Sequence, residues 1–118
     1  MTGGAAIVDA ILKHDVDTVF ALPGVQTYPL MDALKKAEPS INVIGPRHEQ
    51  TAAYMAMGYA RATGKPGIFS VVPGPGVLNT GAALCTAVAV NAPVLLLTGQ
   101  VPSAFLGRGR GHLHEIPD

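Results

Sequence analysis

Cysteine, tryptophan and charge are scarce in this sequence. Its 118 residues include one cysteine and no tryptophan, and only 14% of the side chains are charged. The single cysteine, Cys85, excludes a disulfide within the chain, and its position in an alanine-rich helical run predicts a buried small side chain rather than a nucleophile. Eight basic side chains balance eight acidic ones, so the sequence has no electrostatic footprint for nucleic acid or an anionic membrane.

Long hydrophobic runs are also missing. The apolar stretches fall far short of a membrane span, and the N-terminus lacks the layout of a signal peptide, so we expect a cytoplasmic protein with no membrane partner. Apolar residues still make up 48% of the chain, which suffices for the core of one domain. The low number of charged side chains and the many alanines and glycines predict that part of the surface is covered by another subunit of an oligomer or by the rest of a larger parent protein.

Short apolar segments alternate with helical segments along residues 1–100. This alternation predicts an α/β fold of three layers, α/β/α, with a mostly parallel sheet covered on both faces. The last helix is nearly apolar all round, which predicts burial on more than one side. Four strands followed by a loop suggest an incomplete domain. The predicted helices are residues 2–13, 28–37 (with Thr27 as its cap), 48–63 and 77–90, and the predicted strands are 18–22, 41–44, 67–72 and 94–98.

The alternation stops after Gln100. Residues 101–118 are rich in glycine and proline without apolar periodicity, which is typical of an active-site loop or an interface segment. The Gly-Arg run at 107–111 is too short for a nucleic-acid tail. His112 and His114 are spaced to flank a metal, but without a third ligand they predict a solvated or hydrogen-bonded pair, and we expect no metal site.

Glu49 lies where a predicted strand, 41–44, gives way to a helix. In an open parallel sheet this turn is at the carboxyl edge, where ligands bind, so the carboxylate is a candidate for chemistry. An acidic residue in the first turn of a helix is also favoured by the helix dipole alone. From this stretch by itself, a capping role is the better interpretation.

Two glycine-rich turns follow predicted strands, at residues 23–24 and 73–76. Both are expected at the carboxyl edge, where glycine lets a ligand approach the backbone. The second turn has part of the G-x-G-x-x-G spacing of phosphate-binding turns, which leaves a nucleotide-binding oxidoreductase open. Pro75, the replacement of the last glycine by Asn79, and the lack of an acidic residue about twenty positions later argue against it. A tight turn pinned by the Asn79 side chain is at least as good an interpretation.

Read together, these motifs resemble those of thiamine-diphosphate enzymes related to acetolactate synthase. Residues 19–24 (VFALPG) are similar to the family's V-F-G-x-P-G turn, residues 47–49 (RHE) to its R-H-E turn, and residues 74–79 (GPGVLN) to its G-P-G-x-x-N turn. Residues 93–102 and 113–118 fall where the family has P-v-l-x-i-x-G and F-Q-E-x-D. The resemblance covers nearly all of the chain. It implies a pyrimidine-binding domain over residues 1–100, with 101–118 as a loop or interface segment of the same domain.

The resemblance implies roles for individual residues. Glu49 would bond the ring nitrogen N1′ of thiamine diphosphate and favour the imino tautomer, whose exocyclic nitrogen removes the proton from the thiazolium C2. A carboxyl group in a dry crevice suits this role, because it can share a proton with a weakly basic ring nitrogen. Gln26 and His114 would face the substrate. The cofactor cleft would be lined by Pro23, Gly24, Val25, Gly74, Pro75, Gly76 and Asn79.

The implied activity is that of a carboligase or decarboxylase of 2-oxo acids, with a small 2-oxo acid or aldehyde as substrate. Leu113 and His114 stand where the family has Phe and Gln, so the pocket need not suit pyruvate, and His114 could be a proton shuttle or a spacer.

The family's G-D-G…N signature for diphosphate and Mg²⁺ has no match here. We therefore expect a cofactor shared with a second domain or subunit, Mg²⁺ bound only through that domain, and no activity from this chain alone. A non-catalytic assembly or regulatory partner remains an alternative, and so, with less support, does a nucleotide-binding oxidoreductase.

Overall fold

The computed structural model describes residues 1–116, which form helices and strands in regular alternation. A short 3-10 turn, Val25–Thr27, precedes the second helix. The helices are α1 (Gly3–Lys13), α2 (Tyr28–Lys36), α3 (Glu49–Thr63), α4 (Pro75–Leu78) and α5 (Gly81–Ala89), and the strands are β1 (Thr18–Ala21), β2 (Asn42–Ile44), β3 (Gly67–Val71) and β4 (Val94–Thr98).

The four strands form one sheet in the order β2-β1-β3-β4, and every pairing is parallel. The predicted α/β class is therefore confirmed. From β1 the chain moves outward to β2 and then crosses to β3 on the other side of β1. The connections that follow β1 and β3 thus diverge, which opens a crevice at the carboxyl edge, the usual ligand position in such sheets.

Helices cover both faces of the sheet, as the three-layer prediction requires. Successive residues of β1 point to opposite faces, so Val19 packs beneath α1 and α2 while Phe20 packs beneath α3 and α5. The face of α3 that meets the sheet is built from small side chains, Ala52, Ala53 and Ala56, which let the helix lie close to the strands. Within residues 1–116, no helix is long and apolar enough to cross a membrane.

Local hydrogen bonds and backbone conformations determine where the helices begin and end. Thr2 Oγ1 accepts a hydrogen bond from the Ala5 amide at 3.2 Å and caps α1. Gly64, at φ 74°, ends α3 in the left-handed conformation that glycine adopts without strain. Thr27 precedes α2, but its hydroxyl does not cap that helix as predicted, because it donates to the Gly24 carbonyl and accepts from the Gly24 amide, which closes the 3-10 turn.

The helix predicted over residues 77–90 is wrong in two respects. It is broken into α4 and α5, because Thr80 Oγ1 bonds the Val77 carbonyl at 2.6 Å and Gly81 is a poor helix former. It is also not buried on several sides, since α5 buries only Ala83 and Ala87. Cys85 lies halfway round the helix from these alanines and is exposed, so the prediction of a buried thiol is wrong as well.

Candidate active site

The turns that follow β1, β3 and β4 pack tightly against each other at the carboxyl edge. A Cβ added to Gly24 would overlap the Val72 side chain, so the two predicted glycine turns do meet. A Cβ on Gly99 would overlap the backbone of Gln26, and one on Gly74 would lie 2.5 Å from the carbonyl oxygen of His114. Glycine at these positions brings Gln26 and the loop 101–116 onto the edge of the sheet.

A cleft of about 770 Å³ opens between α4, the end of β4 and the loop 101–116. This volume is within the range of small-molecule sites. Val77 and Leu78 give it an apolar wall, and Gln100, His114 and Glu115 supply polar groups. Glu49 and Asn79 do not line this cleft among the described residues, although Leu78, the residue before Asn79, does.

Glu49 is the first residue of α3, and its side chain is 17% exposed. Asn79 Nδ2 donates to Glu49 Oε2 at 3.0 Å, and His48 Nε2 lies 4.0 Å from the same oxygen. Within residues 1–116, no recorded hydrogen bond uses Oε1. One carboxylate oxygen is therefore engaged by protein, while the other is available to a ligand.

His48, not Glu49, caps α3. Its Nδ1 accepts a hydrogen bond from the Gln50 amide at 3.1 Å. Glu49 is in the first turn of α3, where the helix dipole favours its charge as expected, but the N-cap hydrogen bond comes from His48, and the Glu49 carboxylate is partly buried. The sequence analysis missed this role of His48, and the only available signal was its position between the strand and the first helical residue.

Gln26 and His114 are also in contact. His114 Nδ1 lies 2.9 Å from Gln26 Oε1, and Gln26 Nε2 donates to the Leu113 carbonyl at 3.0 Å. The structure therefore brings together the two residues predicted for the substrate side. Gln100 and Glu115 were not singled out, although Gln100 could have been found from its place just after β4.

The remaining predicted site residues lie in the two glycine turns. Pro23, Val25, Pro75 and Asn79 are exposed, whereas Gly76 is buried and packs against Val72. Pro117 and Asp118 of the closing motif lie outside the described residues. His112 stacks on Phe105 with ring centroids 4.2 Å apart, and the part of the chain described contains no group of three or more His, Cys, Asp or Glu residues that could hold a metal.

Comparison with known families identifies the family of this chain. Residues 1–118 match the family described as thiamine pyrophosphate enzyme, N-terminal TPP binding domain. The chain belongs to this family. As an N-terminal TPP binding domain, it is 44% identical over 118 residues to the probable 2-ketoarginine decarboxylase AruI of Pseudomonas aeruginosa, covering 100% of the chain and 21% of AruI.

Two acetolactate synthases are similar to this TPP binding domain to nearly the same degree. The mitochondrial catalytic subunit of Saccharomyces cerevisiae is 41% identical over 107 residues, which are 91% of this chain and 15% of that protein. The enzyme of Arthrospira platensis is 42% identical over 109 residues, which are 91% of this chain and 19% of that protein. The chain therefore spans about a fifth or less of the curated relatives it matches.

Proposed function

We propose that this TPP binding domain provides the pyrimidine half of the active site in a thiamine-diphosphate-dependent carboligase or decarboxylase of 2-oxo acids. The observation that carries the proposal is Glu49, a partly buried carboxylate at the carboxyl edge whose Oε2 is held by Asn79 and whose Oε1 has no recorded partner within residues 1–116. Membership of the TPP binding family supports the choice of ligand.

The residues present fit an aminopyrimidine. A carboxylate can bond a ring nitrogen through one oxygen. The glycines at 24, 74 and 76 pack against Val72 and the His114 backbone, which brings the turns after β1 and β3 together at the carboxyl edge. Thiamine diphosphate, when bound, supplies the thiazolium carbon that stabilises a carbanion. Glu49 would bond the ring nitrogen. The crevice for the cofactor would be lined by Pro23, Gly24, Val25, Gly74, Pro75, Gly76 and Asn79, of which only Gly74 also lines the cleft beside the loop 101–116.

The substrate side of the proposed site is the cleft lined by His114, whose imidazole is in contact with Gln26. An imidazole there can accept and return a proton, which suits His114 as the proton shuttle. A small 2-oxo acid or aldehyde is the proposed substrate, supported by the names of the relatives, which are acetolactate synthases and a 2-ketoarginine decarboxylase.

The proposal includes a complementary domain or subunit that binds the diphosphate and Mg²⁺, because the described residues hold no group of side chains suited to a metal. Apolar side chains with 68% and 77% exposure, Leu78 and Val88, support a partner surface over α4 and α5. Assembly as a cytoplasmic homo-oligomer is part of the same proposal.

The test is Glu49→Gln in the full-length enzyme, supplied with thiamine diphosphate and Mg²⁺ and screened with 2-oxo acids. Loss of the carboxylate should lower kcat by about 100-fold or more, the lower bound of general acid–base contributions. Gln50→Ala is the matched control, since Gln50 is the next residue of α3 and its side chain has no recorded bond to Glu49. Turnover within about twofold of wild type in Glu49→Gln would contradict the proposal.

The alternatives predict other results. A non-catalytic assembly partner would associate equally well with either residue at position 49. A nucleotide-binding oxidoreductase would bind nicotinamide or flavin, which calorimetric titration would detect.

A further inference from the structure

The side-chain amide of Gln26 is bonded at both ends. Its Nε2 donates to the Leu113 carbonyl at 3.0 Å, and its Oε1 lies 2.9 Å from His114 Nδ1. Gln26 is in the 3-10 turn after β1, whereas both partners are 87 and 88 residues away in the loop 101–116. One amide therefore joins two distant parts of the proposed substrate side.

The Leu113 carbonyl fixes which way this amide points. A backbone carbonyl only accepts hydrogen bonds, so the NH₂ group of Gln26 must face it. The flipped amide would set two acceptor oxygens, Gln26 Oε1 and the Leu113 carbonyl, against each other. Oε1 of Gln26 accordingly faces the imidazole, and because this oxygen can only accept, the proton of the contact belongs to His114 Nδ1.

The backbone holds the pair in place. Gly99 lies against the backbone of Gln26, and Gly74 against that of His114, at distances that leave no room for a side chain. His114 itself has φ 69°, a left-handed conformation that is uncommon for residues other than glycine. Such conformations persist where the surroundings enforce them, often at functional sites.

We propose that Gln26 is a positioning residue that holds neutral His114 as the Nδ1–H tautomer, with the Nε2 lone pair available as proton acceptor in the cleft. The catalytic role of this tautomer rests on the proposed function. The tautomer itself is assigned from the hydrogen bonds of Gln26 alone. A substrate proton would pass to Nε2 while Nδ1 keeps its own proton and its bond to Gln26. The resulting imidazolium can return the proton from Nε2 to the next intermediate or product.

The chain contains an internal comparison. His48 Nδ1 accepts from the Gln50 amide, so the proton of neutral His48 lies on Nε2. His48 and His114 are therefore expected to be opposite tautomers in the same molecule, each fixed by the hydrogen bond at its Nδ1. A measurement that finds the two alike would be inconsistent with these contacts.

The experiment is ¹⁵N side-chain spectroscopy of the histidines in the full protein, without cofactor, well above the ordinary imidazole pKa of about 6.5. The wild-type spectrum should show His114 protonated at Nδ1 and His48 at Nε2. Gln26→Met should shift His114 toward Nε2–H and leave His48 unchanged. Gln100→Met is the matched control, because Gln100 lines the same cleft as His114 but accepts from the Val101 amide instead, and it should leave both signals unchanged.

Either of two results would overturn the proposal: Nε2–H at His114 in the wild type, or Nδ1–H retained in a folded Gln26→Met. The wild-type spectrum needs no variant, so a failure of Gln26→Met to fold does not remove the test. Because no cofactor is present, the outcome is also independent of the Glu49→Gln experiment.

Kinetics of the active enzyme provide a second measurement. Gln26→Met should lower kcat by about tenfold or more, as the wrong histidine tautomer costs about 10⁴-fold in a Ser-His-Asp triad. The Kd for thiamine diphosphate should change by less than about twofold, because Gln26 makes no hydrogen bond to Glu49 or Asn79 within residues 1–116. An unchanged kcat would contradict the positioning role.

Discussion

At the scale of single residues, the proposed site depends on how Glu49 is held. Its Oε2 accepts from the Asn79 amide and faces His48 Nε2, so the carboxylate plane is set from one side. Asn79 directly follows α4, whose last residue lines the cleft. The bond from Asn79 therefore connects the wall of the cleft to the carboxylate, and it leaves Oε1 as the oxygen that would bond the pyrimidine in the proposed site.

Replacing Asn79 tests whether this bond orders Glu49. Asn79→Asp keeps the shape of the side chain but puts a second carboxylate 3.0 Å from Oε2. Like charges at this distance repel, so turnover should fall by about 10- to 100-fold, the usual cost of losing a partner that orients a site residue. Asn79→Ala, which removes the donor without adding charge, should cost less. Steady-state kcat and KM of the full enzyme measure both effects.

The control is thermal stability. Asn79 is exposed, so Asn79→Ala should unfold within about 0.5 kcal/mol of wild type, whereas the like charges in Asn79→Asp should make that variant less stable. Combined with Glu49→Gln, the Asn79 changes should have much smaller effects than alone, because residues that share a contact are not additive. Full turnover in Asn79→Asp would mean that Glu49 is ordered by other groups.

At the scale of elements, the turn after β4 is as restricted as the two glycine turns that the sequence analysis singled out. A Cβ on Gly99 would overlap the backbone carbonyl of Gln26, with the carbonyl carbon 2.8 Å away. Backbone atoms cannot move aside as a flexible side chain can. Gly99→Ala should therefore destabilise the protein by about 1–3 kcal/mol, the usual cost of overpacking, and displace Gln26 from His114.

Thermal unfolding of the full protein measures this change. The matched control is Gly58→Ala, because Gly58 is inside α3 and an added Cβ there would meet no atom within 4 Å. Alanine should raise stability at that position by about 0.5–1 kcal/mol, as expected for an open helical site. Equal melting temperatures for Gly99→Ala and wild type would show that the turn can relax.

Most elements could be predicted because their patterns are local. Buried parallel strands are continuous apolar runs, and every predicted strand, such as 94–98, lies within one residue of its observed bounds. The break between α4 and α5 could not be predicted, because apolar residues continue across it and the break depends on the hydrogen bond from the Thr80 hydroxyl to the Val77 carbonyl. The exposure of Cys85 depends on which side of α5 packs against α3. Because α5 is apolar on all sides, its sequence could not indicate that side.

The site was predictable only in part for a related reason. Glu49 could be found because a strand-to-helix turn has a known place in a parallel sheet. Its bond to Asn79 joins residues 30 apart, and the bond from Gln26 to His114 joins residues 88 apart. Neither spacing follows any local period, so the motif resemblance placed these residues in one site without identifying their contacts.

At the scale of the whole molecule, the edge of the sheet opposite the site has its own polar link. Tyr59 of α3 donates to Asp17 Oδ1 at 2.8 Å, just before β1 begins, and Lys65 Nζ lies 3.7 Å from Asp17 Oδ2. The Tyr59 bond, helped by Thr18 and Lys65, holds the pKa of Asp17 below its ordinary 3.8. Burial and the bond to Asp17 raise the pKa of Tyr59 above 10.0.

These shifts predict how stability depends on pH. Because the folded pKa of Asp17 is depressed, its stabilising contribution is present above pH 3.8 and is lost as the pH falls through the folded value. Tyr59→Phe removes the hydroxyl but keeps the ring that packs edge-on to Phe20 at 6.1 Å. Denaturant titrations should find the variant less stable at pH 7 by up to about 1 kcal/mol, since the link faces solvent. The difference should shrink as Asp17 is protonated, and a difference independent of pH would assign the effect to packing.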